Sequence, residues 1–513
     1  MKKSVYVLLM ILLCIGAGAL FLYCTPFGAG LTNDSSAYIG GARSLLAGRG
    51  YVRIGGDGLP RAITHFPPFY SIVLAGVSRV TGQDPLITAK WVNLCCAVLN
   101  QALFMTVLLL LTGSGLTAFL GGITFLCAGP VLQGEIYGLS EGLYLTLFLS
   151  VFALSLWAAQ SRRLGLWPLI GLLSGALVLT RYAGLAAVGA AAVFILCVLP
   201  NVKERAFSLL LYLAGLAVLP GAWLLKGSSD GGSAVNRAVS LHLPAANKVE
   251  EGIRNLAGFF LPEFGGLVDK FIRFWGVVIA AGLVLLLAGV VFSGLRAFFR
   301  PSDSLLRSAL FAPALHGAAY IVMLIITVCF IDGSTLFDNR ILLPFYVCAM
   351  LLICGCCFQF FEKRGLKALE VIVLIGFAAL LFEDELDLIR EFHRNGQGFA
   401  GEEWRESETR IAAKDLPSEK LLFSNRQTAL SLLNDQPSFI LPPMFDSASF
   451  TERETFEQDR RWMSDEVLNG NACVVVFNYQ DMMEDPGDRE WLETVLEGLP
   501  VLAEYRDGVI FGK

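Results

Sequence analysis

Residues 4–24 read SVYVLLMILLCIGAGALFLYC, a run without a single charge. A helix of about 20 residues, rising ~1.5 Å per residue, matches a hydrocarbon core of ~30 Å, so this stretch reads as a membrane span. Working outward, further runs of this kind lie near 87–111, 115–130, 140–159, 164–180, 182–200, 206–226, 275–298, 308–331, 341–360 and 366–383. Composition points the same way. The 513 residues are 55% hydrophobic and 16% charged, with mean hydropathy +0.62, which leaves too little polar surface to cover a water-soluble globule. The expected fold is a mainly α polytopic membrane protein with about 11 transmembrane helices, followed by a C-terminal soluble α/β domain.

Basic residues in the connections orient the spans, because Lys and Arg near span ends stay on the cytoplasmic side. Lys2 and Lys3, Arg162 and Arg163, Lys203 and Arg205, Arg296, Arg300 and Arg307, and Lys363, Arg364 and Lys367 fall in alternate connections. The N-terminus is therefore expected in the cytoplasm, and everything after about residue 384 outside it. The segment Pro68 to Val80 is apolar but short, and is expected to lie in the interface as a juxtamembrane helix. The first span is long for a signal-peptide core and is expected to be retained.

Eleven of the twelve cysteines lie in or at apolar spans, where cysteine packs as a small hydrophobe; only Cys473 lies in the tail. With four histidines and no cysteine–histidine spacing, a zinc site is not expected. A phosphate loop of the GxxxxGK[ST] type is also missing from the sequence, which argues against a nucleotide-driven pump. After residue 384 charges become frequent, and short apolar runs at Lys420 to Phe423, Ser438 to Leu441, Cys473 to Asn478 and Val509 to Phe511 predict strands between helices. The acidity of this tail disfavours nucleic acid as a partner. The expected division is 1–383, with outer loops 25–86 and 227–274, and 384–513; an outer loop as long as 227–274 suits a lid.

Charged groups at span ends carry an insertion cost, so each needs a reason. Four fall on the expected outer face: Asp34 in Thr32-Asn33-Asp34-Ser35-Ser36, Glu141 in Ser140-Glu141-Gly142 with Glu135 just before, Arg181 in Leu179-Thr180-Arg181-Tyr182, and Arg340 in Asn339-Arg340-Ile341. This set suits transfer of a sugar from a polyprenyl phosphate. A carboxylate takes the proton of the attacking hydroxyl, while guanidinium forks hold the departing phosphate. Structural roles stand beside these. Asp34 with Ser35 and Ser36 equally suits the cap of a helix over 36–47, Glu141 suits a helix N-terminus, and Arg181 and Arg340 suit interfacial anchors. His65 in His65-Phe66-Pro67-Pro68-Phe69-Tyr70, and Asn236, Arg237 and His242 in the long outer loop, are secondary candidates for substrate contact.

An Asp in the first outer loop, His-x-Pro-Pro-x-Tyr, Ser-Glu at the fourth span, Leu-Thr-Arg in a hairpin and Arg-x-x-x-Pro at a late span together resemble the GT-C glycosyltransferases. The resemblance is to bacterial members grouped with protein O-mannosyltransferases and lipid A aminoarabinose transferases. It covers about 1–383, and Glu403-Trp404-Arg405-Glu406-Ser407 and Phe423-Ser424-Asn425 are similar to the tail of such proteins. It implies an inverting transferase of the bacterial cytoplasmic membrane, using a polyprenyl-phosphate sugar donor and a lipid, glycan or protein acceptor. Asp34 would be the base, Glu141 the second acidic residue, and Arg181 and Arg340 the phosphate ligands. Many members carry two acidic residues at the first motif, where this chain has Asp34-Ser35. No cofactor is implied, and a divalent metal is compatible but not demanded. A lipid-linked glycan transporter, or a non-catalytic scaffold for glycan assembly, are the alternatives from other classes; the transporter reading expects charges near the membrane midplane, whereas here they cluster at span ends.

Overall fold

The structure, a computed structural model, describes residues 3–229, 241, 243–260, 265–299, 305–306, 308–333, 335–445 and 452–513. Asn236, Arg237 and His242 lie outside the described residues. The chain divides into two compact units. One comprises Met1–Pro26, Thr64–Tyr70 and Lys90–Arg394, the other Phe27–Ile63, Ser71–Ala89 and Asn395–Lys513.

The first unit is a bundle of apolar helices, and each of the eleven expected runs is helical. Among the described residues, seven helices are long and apolar enough to cross a membrane, or eight if the bent pair below is one span: Ser4–Cys24, Pro85–Thr112, Glu141–Ser161, Val202–Lys226, Ile272–Phe299, Phe311–Ile331 and Asn339–Arg364. The run expected at 115–130 is instead two helices, Gly115–Leu126 and Gly129–Ile136, bent by 64°. The physical cause is local: Ala128 is extended and Pro130 opens the second helix, so the first cannot continue through it. The runs at 164–180 and 182–200 form shorter helices, Trp167–Thr180 and Gly184–Val198. The last run extends as Lys367–Asn395.

Apolar surface is distributed as a lipid-facing bundle requires. Helix Glu141–Ser161 is buried along most of its length, whereas Val277, Leu285 and Phe292 on helix Ile272–Phe299 are each about 70% exposed (69%, 72% and 69%). In water such an apolar helix would be a liability; in hydrocarbon it is the expected outer surface. Helices Trp167–Thr180 and Val202–Ser229 approach through glycine. A Cβ on Gly171 would lie 2.0 Å from the Tyr212 carbonyl oxygen, and one on Gly215 would lie 2.0 Å from that of Pro168. Gly171 and Gly175 are four residues apart on one face, the small-residue spacing by which membrane helices pack closely.

The second unit is built on strands β3 (Leu421–Ser424), β4 (Phe439–Ile440), β5 (Ala472–Phe477), β6 (Val501–Tyr505) and β7 (Gly508–Phe511), after a small hairpin of β1 (Val52–Ile54) and β2 (Pro60–Ala62). The sheet order is β4-β3-β5-β7-β6. β3 runs parallel to β4 and β5, and β7 antiparallel to β5 and β6. Successive side chains of a strand point to opposite faces. Accordingly, Val474 and Val476 pack with Phe423, Met463 and Leu492, while Val475 and Phe477 pack with Trp404, Ala413 and Leu430. Helices therefore cover both faces, an α/β layer arrangement. β6, whose residues are partly exposed, was not among the expected strands although it opens on the short apolar run Val501-Leu502-Ala503.

Phe27–Ile63 and Ser71–Ala89, after the first apolar helix, belong to this same unit. Leu31 pairs with the Gln397–Phe399 turn, its N–H donating to Gln397 O at 3.2 Å and its carbonyl accepting from Phe399 N at 2.9 Å. The Arg405 guanidinium lies 3.4 Å from the centroid of the Phe27 ring. Arg43 donates to Asp84 through two bonds of 3.0 Å, to Asp435 at 3.1 Å, and to the carbonyls of Ser431 and Leu432 at 3.1 and 3.2 Å. A single guanidinium thus spends its rigid fork of donors on a loop more than 350 residues away in sequence.

Candidate functional site

Three helix ends of the first unit carry the strongest candidates. Glu141 is the first residue of helix Glu141–Ser161 and is 3% exposed. Arg181 ends helix Trp167–Thr180 in extended conformation, φ −150° and ψ 136°. Arg340 lies in the first turn of helix Asn339–Phe360, which Asp338 caps by accepting from Ile341 N at 2.7 Å.

These three converge. Arg340 Nε is 3.2 Å from Glu141 Oε1, and Arg181 Nη1 forms an ion pair with the same oxygen. The formal charge of the group is +1, and a helix N-terminus adds positive potential at both Glu141 and Arg340. Two guanidiniums sharing one carboxylate would repel each other without it. Glu141 therefore sets their separation, and guanidinium groups are donors of the kind that suits an anion such as a phosphate.

The surrounding turns are held by specific contacts. Gly184, three residues after Arg181, tolerates no side chain, since a Cβ there would lie 2.9 Å from the Leu177 carbonyl oxygen. Glycine is thus what permits the sharp hairpin that projects Arg181. On the Arg340 side, Asn255 Nδ2 donates to Phe337 O at 2.8 Å, and Lys248 Nζ donates to Gly333 O at 2.6 Å. Helix Ala246–Phe260 is thereby fastened to the segment leading into Arg340.

A buried amide network supports Glu141, and nothing in the spacing argument had singled it out. Asn93 Nδ2 donates to Glu135 O at 3.0 Å and also bonds the Tyr137 carbonyl, while its Oδ1 accepts from Tyr70 OH at 2.9 Å. Asn100 Nδ2 donates to Glu135 Oε1 at 2.8 Å and to Gly142 O at 3.2 Å. The available signal was the pair itself: Asn93 and Asn100 stand seven residues, about two helical turns, apart inside an apolar span, where an amide is costly unless it is hydrogen-bonded. Glu135 is held by this network and Glu141 by arginine, so the two neighbouring acids have different partners.

The remaining candidates are placed differently. Asp34 is half-buried in the second unit, in the first turn of helix Asn33–Leu46. The capping expectation for Asp34 is corrected here. The helix begins three residues earlier than expected, Thr32 occupies the cap position, and Thr32 N donates to Ser35 Oγ at 3.0 Å. Asp34 instead sits at the positive end of the helix dipole as an acidic first-turn residue. His65 is exposed, its ring edge-on to Phe66 at 6.3 Å between centroids. The tail motifs have structural uses: Trp404 is buried, Ser407 caps helix Glu408–Lys414, and Asn425 exchanges hydrogen bonds with Phe477 N and O at 3.0 and 2.8 Å.

The fold of the chain is similar to that of solved membrane glycosyltransferases. It is similar to the oligosaccharyltransferase of Archaeoglobus fulgidus tethered to an acceptor peptide, with a TM-score of 0.52 at 12% identity, covering 100% of this chain and 74% of that one. It is also similar to the arabinofuranosyltransferase AftD from Mycobacteria, with a TM-score of 0.54 at 15% identity, covering 100% of this chain but only 40% of that one. At such identities the likeness concerns the fold alone. No protein-family model matches the sequence, and no curated protein matches it.

Proposed function

We propose that the protein is a membrane glycosyltransferase that moves a sugar from a polyprenyl-phosphate donor to an acceptor hydroxyl by inverting displacement. The observation that carries this reading is the Arg181–Glu141–Arg340 group, two guanidiniums gathered on one carboxylate at helix ends of an apolar bundle. The acceptor oxygen bonds to the anomeric carbon, the bond from that carbon to the phosphate oxygen breaks, and the hydroxyl proton passes to Asp34. The departing polyprenyl phosphate carries the negative charge that Arg181 and Arg340 neutralise. In this reading Glu141 is a positioning residue, because its carboxylate is engaged by both arginines. The expected setting is the bacterial cytoplasmic membrane, with the N-terminus inside and the residue 384–513 region outside. No step requires a divalent metal.

The test is transfer of radiolabelled sugar from total lipid-linked donors by membranes containing the wild-type, Asp34→Asn and Arg340→Ala proteins, each shown to insert and fold. Loss of at least ~100-fold in both variants is expected, as removal of a general base or of a charge-stabilising donor costs in other enzymes. Full activity in both would refute the reading.

A further inference from the structure

Helix Lys367–Asn395 places Glu385 on the wrong face for a solvated acid. Glu385, Leu388, Ile389 and Phe392 follow at spacings of three and four, which is one helical face. Ile389 and Phe392 pack there against Phe21, Leu132 and Ile136. The charged residues Asp387, Arg390 and Glu391 occupy the exposed face. Glu385 is 1% exposed, and neither of its carboxylate oxygens has a hydrogen-bond partner among the described residues. A buried carboxyl in that condition is costly and persists for a reason.

The reason lies in the space it borders. Glu385 lines a half-open cavity of 260 Å³ together with Gln133, Arg254, Asn255 and Asn339. Asn339 immediately precedes Arg340, so this cavity and the cationic group share a helix start. Its polar lining is three amides and one acid, with Arg254 neutralised by Asp269 at 2.6 Å. That chemistry offers an anion no cation that is not already paired. It also does not suit a multidentate metal site, since among the described residues no three His, Cys, Asp or Glu side chains gather. A carboxyl group beside amides, groups that donate as well as accept, matches a ring of vicinal hydroxyls. The volume falls just below the ~300–1,000 Å³ of sites for drug-sized ligands, the scale of one sugar ring rather than a chain of them.

We infer that the Glu385 cavity is a monosaccharide subsite in which the Glu385 carboxyl group exchanges hydrogen bonds with sugar hydroxyls. The sugar is the transferred residue of the donor or the terminal residue of the acceptor. The choice of a sugar rests on the glycosyl-transfer reading, but binding is measurable without turnover.

The experiment is saturation-transfer NMR on the full-length protein in nanodiscs, with methyl mannoside, glucoside, galactoside and arabinofuranoside as probes. At least one glycoside is expected to bind, and Glu385→Leu is expected to weaken it by about tenfold, the effect of losing a hydrogen bond. Gln133→Leu provides a second variant that keeps Glu385 and is also expected to weaken binding, so a folding failure of one variant does not decide the matter. Competition by a short-chain polyprenyl phosphate bearing the bound sugar identifies the donor subsite; binding without competition identifies the acceptor subsite. No binding by any glycoside, or equal affinity in the wild type and both variants, overturns the inference. If Asp34→Asn and Arg340→Ala abolish transfer while no glycoside binds, only this inference falls. Glu385-dependent binding in a protein whose transfer survives those two variants would leave the subsite standing without the proposed mechanism.

Discussion

Arg340 Nε lies 3.2 Å from Oε1 of Glu141, the same carboxylate oxygen that holds Arg181. Sharing one acceptor couples the two cations, so neither can move without changing the electrostatic setting of the other. Glu141→Gln keeps the shape but removes the charge, and is expected to lower transfer strongly and to lower stability by roughly 1–3 kcal/mol. The figure is held below that of fully buried pairs because the Arg340 side chain is 37% exposed. Thermal unfolding in detergent, with Arg340→Ala and the double variant, checks it. Independent, additive effects would show that the residues are not coupled.

Gly184→Ala adds a Cβ that would meet the Leu177 carbonyl at 2.9 Å, and backbone cannot yield as a flexible side chain would. The hairpin is expected to open and shift Arg181. Transfer should fall about tenfold or more, with a raised KM for the lipid donor, while the far-UV spectrum stays helical. An unaltered KM would separate Arg181 from donor binding.

Arg43→Ala removes every bond that its guanidinium makes to Asp84, Asp435, Ser431 O and Leu432 O. The side chain is only 15% exposed, and a loss of roughly 2 kcal/mol is expected from its unmade charged hydrogen bonds. Limited proteolysis should then cut within 427–436 at a protease concentration that leaves the wild type intact. Identical digestion patterns would show that the contact adds nothing to the stability of the second unit.

Acid should weaken the second unit through Asp507. Burial pushes its carboxyl up, but hydrogen bonds from Ser407 and from the Thr409 N–H and hydroxyl outweigh it and leave the pKa below the usual range. The Thr409 bonds measure 3.1 and 2.8 Å. A folded-state value lower than the unfolded one makes the contribution complete above the unfolded value, about 3.9, and loses it as pH falls through the folded one. Trp404 fluorescence followed through acid titration should show an unfolding midpoint that moves in Asp507→Asn. An unmoved midpoint would assign acid sensitivity elsewhere.

The spans were legible because hydrocarbon imposes one length and one composition on whatever crosses it. The bend after Leu126 was partly written in Pro130, but the apolar run continues across it, so composition read one helix where the backbone makes two. Arg181, Glu141 and Arg340 stood out as charges at span ends; that two of them meet on one oxygen of the third depends on how three helices pack, which periodicity does not encode. Asn93 and Asn100 carried a readable polar signal that the search for charges passed over. β6 escaped notice although Val501-Leu502-Ala503 is apolar, because that run is short and its residues are partly exposed. The affiliation of the first outer loop with the tail was invisible for a different reason: it is made by single distant contacts, Arg43 with Asp435 and Leu31 with Gln397 and Phe399, with no repeat or run to announce them.

That affiliation has a consequence for biosynthesis. The ribosome delivers the helix bearing Asp34 well over three hundred residues before the distant partners of Arg43 and Leu31, Asp435 and Gln397 to Phe399, exist, and proteins begin to fold as they emerge. Membrane helices can assemble during that interval, but the loop must wait for those residues. Nascent chains stopped before residue 435 should hold Asp34 in a protease-sensitive loop, and release of the completed chain is the event that protects it. Completion of synthesis thereby becomes the step that completes the Asp34 environment, and a truncated product of this gene would insert without being finished.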